Sequence, residues 1–331
     1  MKALVYTGVE SLEIRDVATP EPRPGEHLIK VDSVGICGSD MHAYLGHDAR
    51  RPAPLILGHE AAGVIMGGPR DGERVTINPL VTSSTCPYVR SGRDNLSPTR
   101  QIISMPPREG AFAEFVSMPP ENLVTVPDGF PLDKAALAEP MAVSWHAARL
   151  GLAALHPADE RRALVIGGGA IGVAAALALQ AMGAAEVTVA EPNATRAAYL
   201  TEHLGLTLDP GEGQVPLVVD AVGYAATRAL ASERVTPGGT IVHIGLGEDK
   251  GGLDIRRMTL QEIGFIGTYA YTAQDFRDTA EAMFQGRLGP LDWTETRALN
   301  DGAGAFQDIR AGRVAAPKII LKPHEGEPSN V

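Results

Sequence analysis

The chain has 331 residues, 44% hydrophobic and 21% charged, a composition that suits about two globular domains and excludes disorder on the scale of a domain. A net charge of −11 and a pI of about 5.3 argue against nucleic acid and anionic membranes as partners, because both reward basic patches. No run of 18 apolar residues is present, "MKALVYTGVESLEIRD" lacks an apolar signal core, and two cysteines cannot make a disulfide framework, so a cytoplasmic protein is expected.

Residues 1–80 carry strand signals. In "HLIKVDSV", Ile29 and Val31 alternate with Lys30 and Asp32, and in "SLEIRDV" Leu12 and Ile14 do the same. Frequent Gly and Pro punctuation predicts short antiparallel strands in a compact barrel. Two stretches here hold candidate chemistry: "GICGSDMH" (35–42) and "LGHEAAGVI" (57–65). Singly, Cys37, His59 and Glu60 are unremarkable, since a buried Cys often behaves as a small hydrophobe and a His–Glu pair is commonly a satisfied loop pair. "VTSSTCPYVRSGRDNLSP" (81–98) follows, with Cys86 among serines.

The texture changes near residue 132. "LDKAALAEPMAVSWHAARLGLAAL" is helix-prone, contains Glu139, and is expected to break or kink at Pro140. "RALVIGGGAIGVAAALALQAMGAAEVTVAEP" then reads strand, Gly-rich turn, helix, strand. The apolar runs "VPLVVDAVG", "GGTIVHIGLG" and "EIGFIGTYAY" alternate with helical stretches, the pattern of a parallel sheet covered on both faces. Residues 274–286 read as an amphipathic helix stopped by Gly286, "APKIILKP" as one more strand, and the polar tail "HEGEPSNV" as a fraying end.

The Gly-rich turn has a function that its context supports. Gly167, Gly169 and Gly172, with Ala170 and Ile171 between them, follow a strand and open a helix, and Glu191 closes the next strand 19 residues after Gly172. Glycines there admit a tight turn and close approach of a pyrophosphate, the helix N-terminus offers free N–H groups, and the acid accepts from ribose hydroxyls. A plain structural turn is the alternative. Glu191 welcomes a 2′-OH and repels a 2′-phosphate, which favours NAD over NADP; Arg196, five residues on, could pair a phosphate and soften that preference.

Taken together, "GICGSD", "GHE", "AEP" and the Gly-rich turn resemble the zinc-dependent branch of the medium-chain dehydrogenase/reductase family, over nearly the whole chain. The likeness is strongest to its sorbitol (polyol) and threonine dehydrogenase-like members. The resemblance implies an α/β plus β fold: a GroES-like β-rich catalytic domain (1–144 and 291–331) and a doubly wound parallel-sheet Rossmann domain (145–290). It implies one catalytic zinc per subunit, held by Cys37, His59 and either Glu60 or Glu139. It also implies that NAD takes a hydride from a secondary alcohol, with Ser39 as first proton acceptor and His42 as the solvent-side base. Val222, Ile244, Gly245 and Leu246 are expected near the nicotinamide and adenosine sides of the cofactor. A Ser39 that merely caps a helix and a surface His42 are the plain alternatives.

Many family members hold a structural zinc with four cysteines spaced C-x2-C-x2-C-x7-C. Those positions here are Ser83, Cys86, Val89 and Ser97, so only one thiolate remains and no second zinc is expected. The loop then needs other anchors, with Tyr88, Arg90, Arg93 and the serines as candidates. A small-molecule alcohol or ketone is the expected partner, with Tyr44, residues 45–54, Trp145 and Tyr269 around it and Arg50 and Arg51 available to an anionic sugar derivative. A homodimer or homotetramer is implied by family, with "GGTIVHIGLG" and "EIGFIGTYAY" as candidate edge strands. Two competing readings are a zinc-free, NADPH-dependent quinone or enone reductase of the same superfamily, and a non-catalytic nucleotide-binding protein. The first usually lacks the Cys and "GHE" ligands; the second has no need of Cys37, Ser39, His59 and Glu139 together.

Overall fold

The computed structural model describes residues 1–324, so the polar tail, apart from His324, lies outside the described residues. Two units cluster separately: Met1–Glu139 with Thr272–Gln285 and the chain from Thr294, and Pro140–Tyr271 with Gly286–Trp293. No helix among the described residues is long and apolar enough to cross a membrane.

The first unit is β-rich, as the alternating patterns require. Its central strand, His27–Gly35, pairs antiparallel with Glu60–Met66, Phe115–Met118 and Lys318–Lys322. Ile29 and Val31 face the core and are fully buried, whereas Lys30 is exposed. A register shift between Val31 and Ser33 re-aims the end of the strand. From there the register sets Gly35 opposite Glu60 on one side and Ile320 on the other. Three segments far apart in the chain therefore meet at one strand end. Leu4, Ile29, Leu57, Ile65, Ile77, Phe112 and Phe306 fill the core beneath. Tyr44 belongs to that core, its ring 5.2 Å from the ring of Phe306, which corrects its expected place beside a substrate.

The second unit is a six-stranded parallel sheet. In spatial order the strands are Thr207–Leu208, Glu186–Ala190, Arg162–Ile166, Val215–Asp220, Val235–His243 and Gly264–Gly267. Chain order reverses between Arg162–Ile166 and Val215–Asp220, the switch point at which open α/β sheets bind ligands. Leu164, Val165, Val218 and Val219 are buried, as strands covered on both faces demand. Val235–His243 is paired on both sides, so it is an inner strand; only Gly264–Gly267 of the two candidates lies at an edge.

Pro140 does not break its helix. It stands in the first turn of Ala138–Ala154, where its missing N–H has no intrahelical acceptor to lose. The interruption falls earlier, after the short helix Leu132–Ala135. The helix Ala273–Phe284 is capped by the Thr272 hydroxyl and followed by Gly286 in the left-handed region.

Candidate active site

At the end of the central strand, one ligand atom each from Cys37, His59 and Glu60 lies within 4.8 Å of the others. It is the one such trio of Cys, His and acidic residues among the described residues. Cys37 reaches the site as the residue before the helix Gly38–Tyr44, in extended backbone. His59 and Glu60 lead into the strand Glu60–Met66.

Asp40 organises this trio. Its carboxylate accepts from Cys37 N (3.0 Å) and Gly58 N (3.2 Å) and stands 3.4 Å from His59 Nδ1. The Ser104 hydroxyl is 3.3 Å from the same nitrogen. Ser104 itself is buried with φ 70, a costly conformation for a residue with a side chain, held where it meets His59. His59 Nδ1 is thus engaged from behind, the arrangement that orients a ligating imidazole. Burial works against charge on His59, but Asp40 and then Cys37 outweigh it and raise its pKa well above the ordinary value. Burial also pushes the Asp40 carboxyl up, yet His59 and Arg51 win and hold it low. The site therefore draws positive charge toward His59.

Two observations test whether zinc suits these residues. The donors are a thiol, an imidazole and a carboxylate, a set that zinc accepts. Glu60 Oε2 is buried with no hydrogen-bond partner, while its Oε1 takes the Lys318 ammonium at 2.7 Å. The donor set fits. Glu139 is buried in the first turn of Ala138–Ala154 and stands outside the trio, although its charge reaches Lys318.

Ser39 Oγ lies 3.5 Å from His59 Nε2. Arg51 donates to the Ser39 hydroxyl (3.4 Å) and to the Ser104 carbonyl (3.1 Å). His42 is exposed in the last turn of the same short helix, with its ring 6.4 Å from that of His47. Arg50 and Arg51 both pair with Asp48, at 2.8 Å and 2.6 Å, which corrects the expectation that the two are available to an anion. Asp40, Ser104 and Lys318 were absent from the candidate set, and Arg51 was expected only as a charge for an anionic substrate. Only Asp40 had a local signal, an acid at the third position of the helix that Cys37 precedes.

The Cys86 lobe is anchored without a ligand set. Cys86 precedes the short helix Pro87–Arg90. The Ser97 hydroxyl and the N–H groups of Val89 and Tyr88 hydrogen-bond its sulfur and lower its pKa. Arg93 lies over the Tyr88 ring at 5.2 Å, and its Nε donates to Ser91 Oγ at 3.1 Å. Buried Asp94 accepts from Ala273 N at 2.7 Å, tying the lobe to the start of Ala273–Phe284.

In the second unit the Gly-rich turn sits at the carboxyl end of Arg162–Ile166. Gly167 has φ +100, and a Cβ on Gly172 would overlap the Gly167 carbonyl, so the helix Ala170–Ala181 packs down only because that position is glycine. A Cβ on Gly169 would meet nothing, which leaves open space beside the turn. Ala170 and Ile171 form the first turn of the helix. Glu191 receives Gly168 N (2.9 Å) and Asn193 N (2.8 Å), and Arg196 pairs with it at 3.3 Å. Arg196 Nε is buried without a partner. Buried Asp220 accepts from Val222 N, and its carbonyl from Ile244 N and Gly245 N, so Val222, Ile244 and Gly245 share one edge of the sheet. Leu246 beside them is exposed. The empty volume at Gly169, the free helix N-terminus and the acid at the next strand end fit a dinucleotide.

Known proteins agree with this geometry. Residues 23–128 match the alcohol dehydrogenase GroES-like domain, and residues 170–285 match the zinc-binding dehydrogenase domain. L-galactonate-5-dehydrogenase of Escherichia coli (strain K12) is 32% identical over 308 residues, covering 87% of this chain and 88% of that protein. Sorbitol dehydrogenase of Macaca fascicularis is 31% identical over 295 residues, covering 81% of each. The solved structure of acetophenone reductase from Geotrichum candidum, in complex with NAD, superposes with a TM-score of 0.85 at 25% identity, covering 98% of each chain. A relative this similar over most of both lengths, together with the two domain matches, places the chain in the zinc-binding alcohol dehydrogenase branch of the medium-chain dehydrogenases, a family of oxidoreductases.

Proposed function

We propose that the protein oxidises a secondary alcohol, a polyol or a sugar-derived substrate, to the ketone with NAD as hydride acceptor, and reduces the ketone in reverse. The observation that carries this reading is the Cys37–His59–Glu60 trio, backed by Asp40. Relatives named for sorbitol and L-galactonate supply the substrate class. Cys37, His59 and Glu60 would hold one zinc ion. Zinc bound there supplies a Lewis acid that makes a hydroxyl more acidic, and NAD supplies the hydride acceptor.

The chain's own residues do the rest. Asp40 and Ser104 fix the His59 ring through Nδ1 and leave Nε2 toward the site. The Ser39 hydroxyl accepts the substrate proton, and Arg51 keeps that hydroxyl in place. His42, exposed to solvent, passes the proton on. Gly167 to Gly172 carry the pyrophosphate, Glu191 accepts from the adenosine ribose and sets the preference for NAD, and Val222, Ile244, Gly245 and Leu246 line the cofactor edge. Glu139 balances charge near Lys318 rather than ligating. The edge strand Gly264–Gly267, with Phe265 exposed, pairs with a second copy to form a dimer.

The test is metal content beside turnover. Zinc at one ion per chain, activity lost to a chelator and regained with zinc, and NAD-linked oxidation in a panel of polyols, aldonates and simple secondary alcohols are the expected results. Full activity after complete metal removal overturns the reading.

A further inference from the structure

Lys318 has no part in the reaction as described, yet it is the buried cation of the site. Its ammonium lies 2.7 Å from Glu60 Oε1 and 2.9 Å from the carbonyl oxygen of Ile36. Ile36 immediately precedes Cys37, and Glu60 immediately follows His59. One side chain thus ties together both segments that bring in ligands. Gly35 completes the fit. A Cβ there would overlap Glu60 Oε2, so glycine leaves the slot in which this carboxylate lies.

The charges explain why a cation is needed. Glu60 and Asp40 are fully buried and Glu139 is nearly so; Glu60 shares the trio with Cys37, Asp40 accepts from Cys37 N, and the charge of Glu139 reaches Lys318. A carboxylate removed from water is costly unless it is paired and hydrogen-bonded. A bound divalent ion would meet that need in the loaded protein. Nothing but Lys318 meets it for Glu60 beforehand, since Oε2 has no other partner and Oε1 bonds only to this ammonium among the described contacts. Small structural zinc sites that depend on the ion for this balance unfold when it is withdrawn.

We propose that Lys318 is the internal counter-cation that holds the ligand set assembled before metal enters, so that the β-rich unit keeps its fold without metal. It is a positioning residue, acting through Glu60 and the Ile36–Cys37 backbone. The proposal rests on the reading of Cys37, His59 and Glu60 as the metal-holding trio.

The experiment compares thermal unfolding of the full chain, chelator-stripped and zinc-loaded, for the wild type, Lys318→Arg, Lys318→Met and the double variant Lys318→Met/Glu60→Gln. In the wild type, stripping lowers the midpoint by only a few degrees. In Lys318→Met, the stripped protein melts about 6–20 °C below the stripped wild type, the size expected for an orphaned buried charge in a unit of this length. Zinc returns most of that loss, so the zinc-induced shift grows. Lys318→Arg keeps the wild-type gap, and the double variant recovers stripped stability because no unpaired charge remains. A zinc-induced shift in Lys318→Met no larger than in the wild type overturns the proposal, since a merely structural lysine lowers both midpoints alike. If Lys318→Met yields no folded protein, recovery of folding in the double variant supports the proposal and failure to recover overturns it. If zinc shifts the midpoint of no protein, wild type included, the metal-centre reading fails and this proposal with it.

Discussion

The two cysteines stand in nearly the same local structure. Each has extended backbone and each immediately precedes a short helix, Gly38–Tyr44 for Cys37 and Pro87–Arg90 for Cys86. Their surroundings differ in charge. Around Cys37 the fold gathers His59, Glu60, Asp40 and Lys318; around Cys86 it gathers Ser97, two backbone N–H groups and, close by, Arg90. Hydroxyl and amide hydrogen bonds are enough to place a sulfur, but they add no second thiolate, imidazole or carboxylate with which to hold zinc. What a cysteine does here is decided by the side chains that distant segments deliver to it, and helix-capping geometry is shared by both.

That contrast can be broken most directly at the sulfurs. Cys37→Ser is expected to lower turnover by at least about a thousandfold, the several kcal/mol that a Lewis acid contributes, while nucleotide binding followed by fluorescence persists. Cys86→Ser should leave initial rates within about twofold; a large loss there would mean the lobe matters to the chemistry. A smaller effect is expected one layer back. Asp40→Asn removes the charge behind His59 and should weaken zinc binding by about 10- to 100-fold in a chelator competition, and unchanged affinity would strip Asp40 of its role. The Cys86 lobe sharpens the comparison from the other side. Asp94→Ala removes its bond to Ala273 N and should cost about 1 kcal/mol in chemical unfolding, with amide exchange rising across residues 82–100 and kcat unchanged.

The smallest effect concerns acid. Burial pushes the Asp48 carboxyl up, but hydrogen bonds and charge from Arg50, with Arg51 beside it, hold its pKa at about 2. A carboxyl depressed in the fold contributes stability above its ordinary value of 3.8, and that contribution is lost as pH falls through about 2. Asp48→Asn should therefore lower the neutral plateau and, by the same amount, flatten the acid limb of a stability titration between about pH 4 and pH 2. An unchanged limb would show that Asp48 has no such part in acid unfolding.

Much of this molecule was legible from short motifs. The Gly-rich turn with its acid is carried by a few neighbouring positions, and local spacing is what a sequence displays; Cys37, His59 and either Glu60 or Glu139 entered through the family resemblance of the short motifs that hold them. The supporting layer is different in kind. Lys318 meets Glu60 across 258 residues, and Ser104 meets His59 across 45, with no period or spacing to announce either contact. Arg51 looked available to an anion because nothing in "HDARRP" shows that Asp48 folds back onto both arginines. Pro140 was misread for a simpler reason: the rule against proline in helices lapses in the first turn, and a sequence does not mark where a helix begins. The missing cysteines of the lobe and the serines that help anchor it were visible at once, but the Asp94 bond to Ala273 was not.

The pairing of the strand Lys318–Lys322 with the strand His27–Gly35 has a consequence for biosynthesis. Residues 140–271 form most of the second unit as one continuous stretch, so during translation they can condense as soon as they leave the ribosome. The β-rich unit cannot. Cys37, His59 and Glu60 emerge early, but the lysine that gathers them is made some 258 positions later. A nascent chain therefore carries Cys37, His59 and Glu60 without their buried cation through most of its synthesis, and the Lys318–Glu60 pair forms only when that strand is in place.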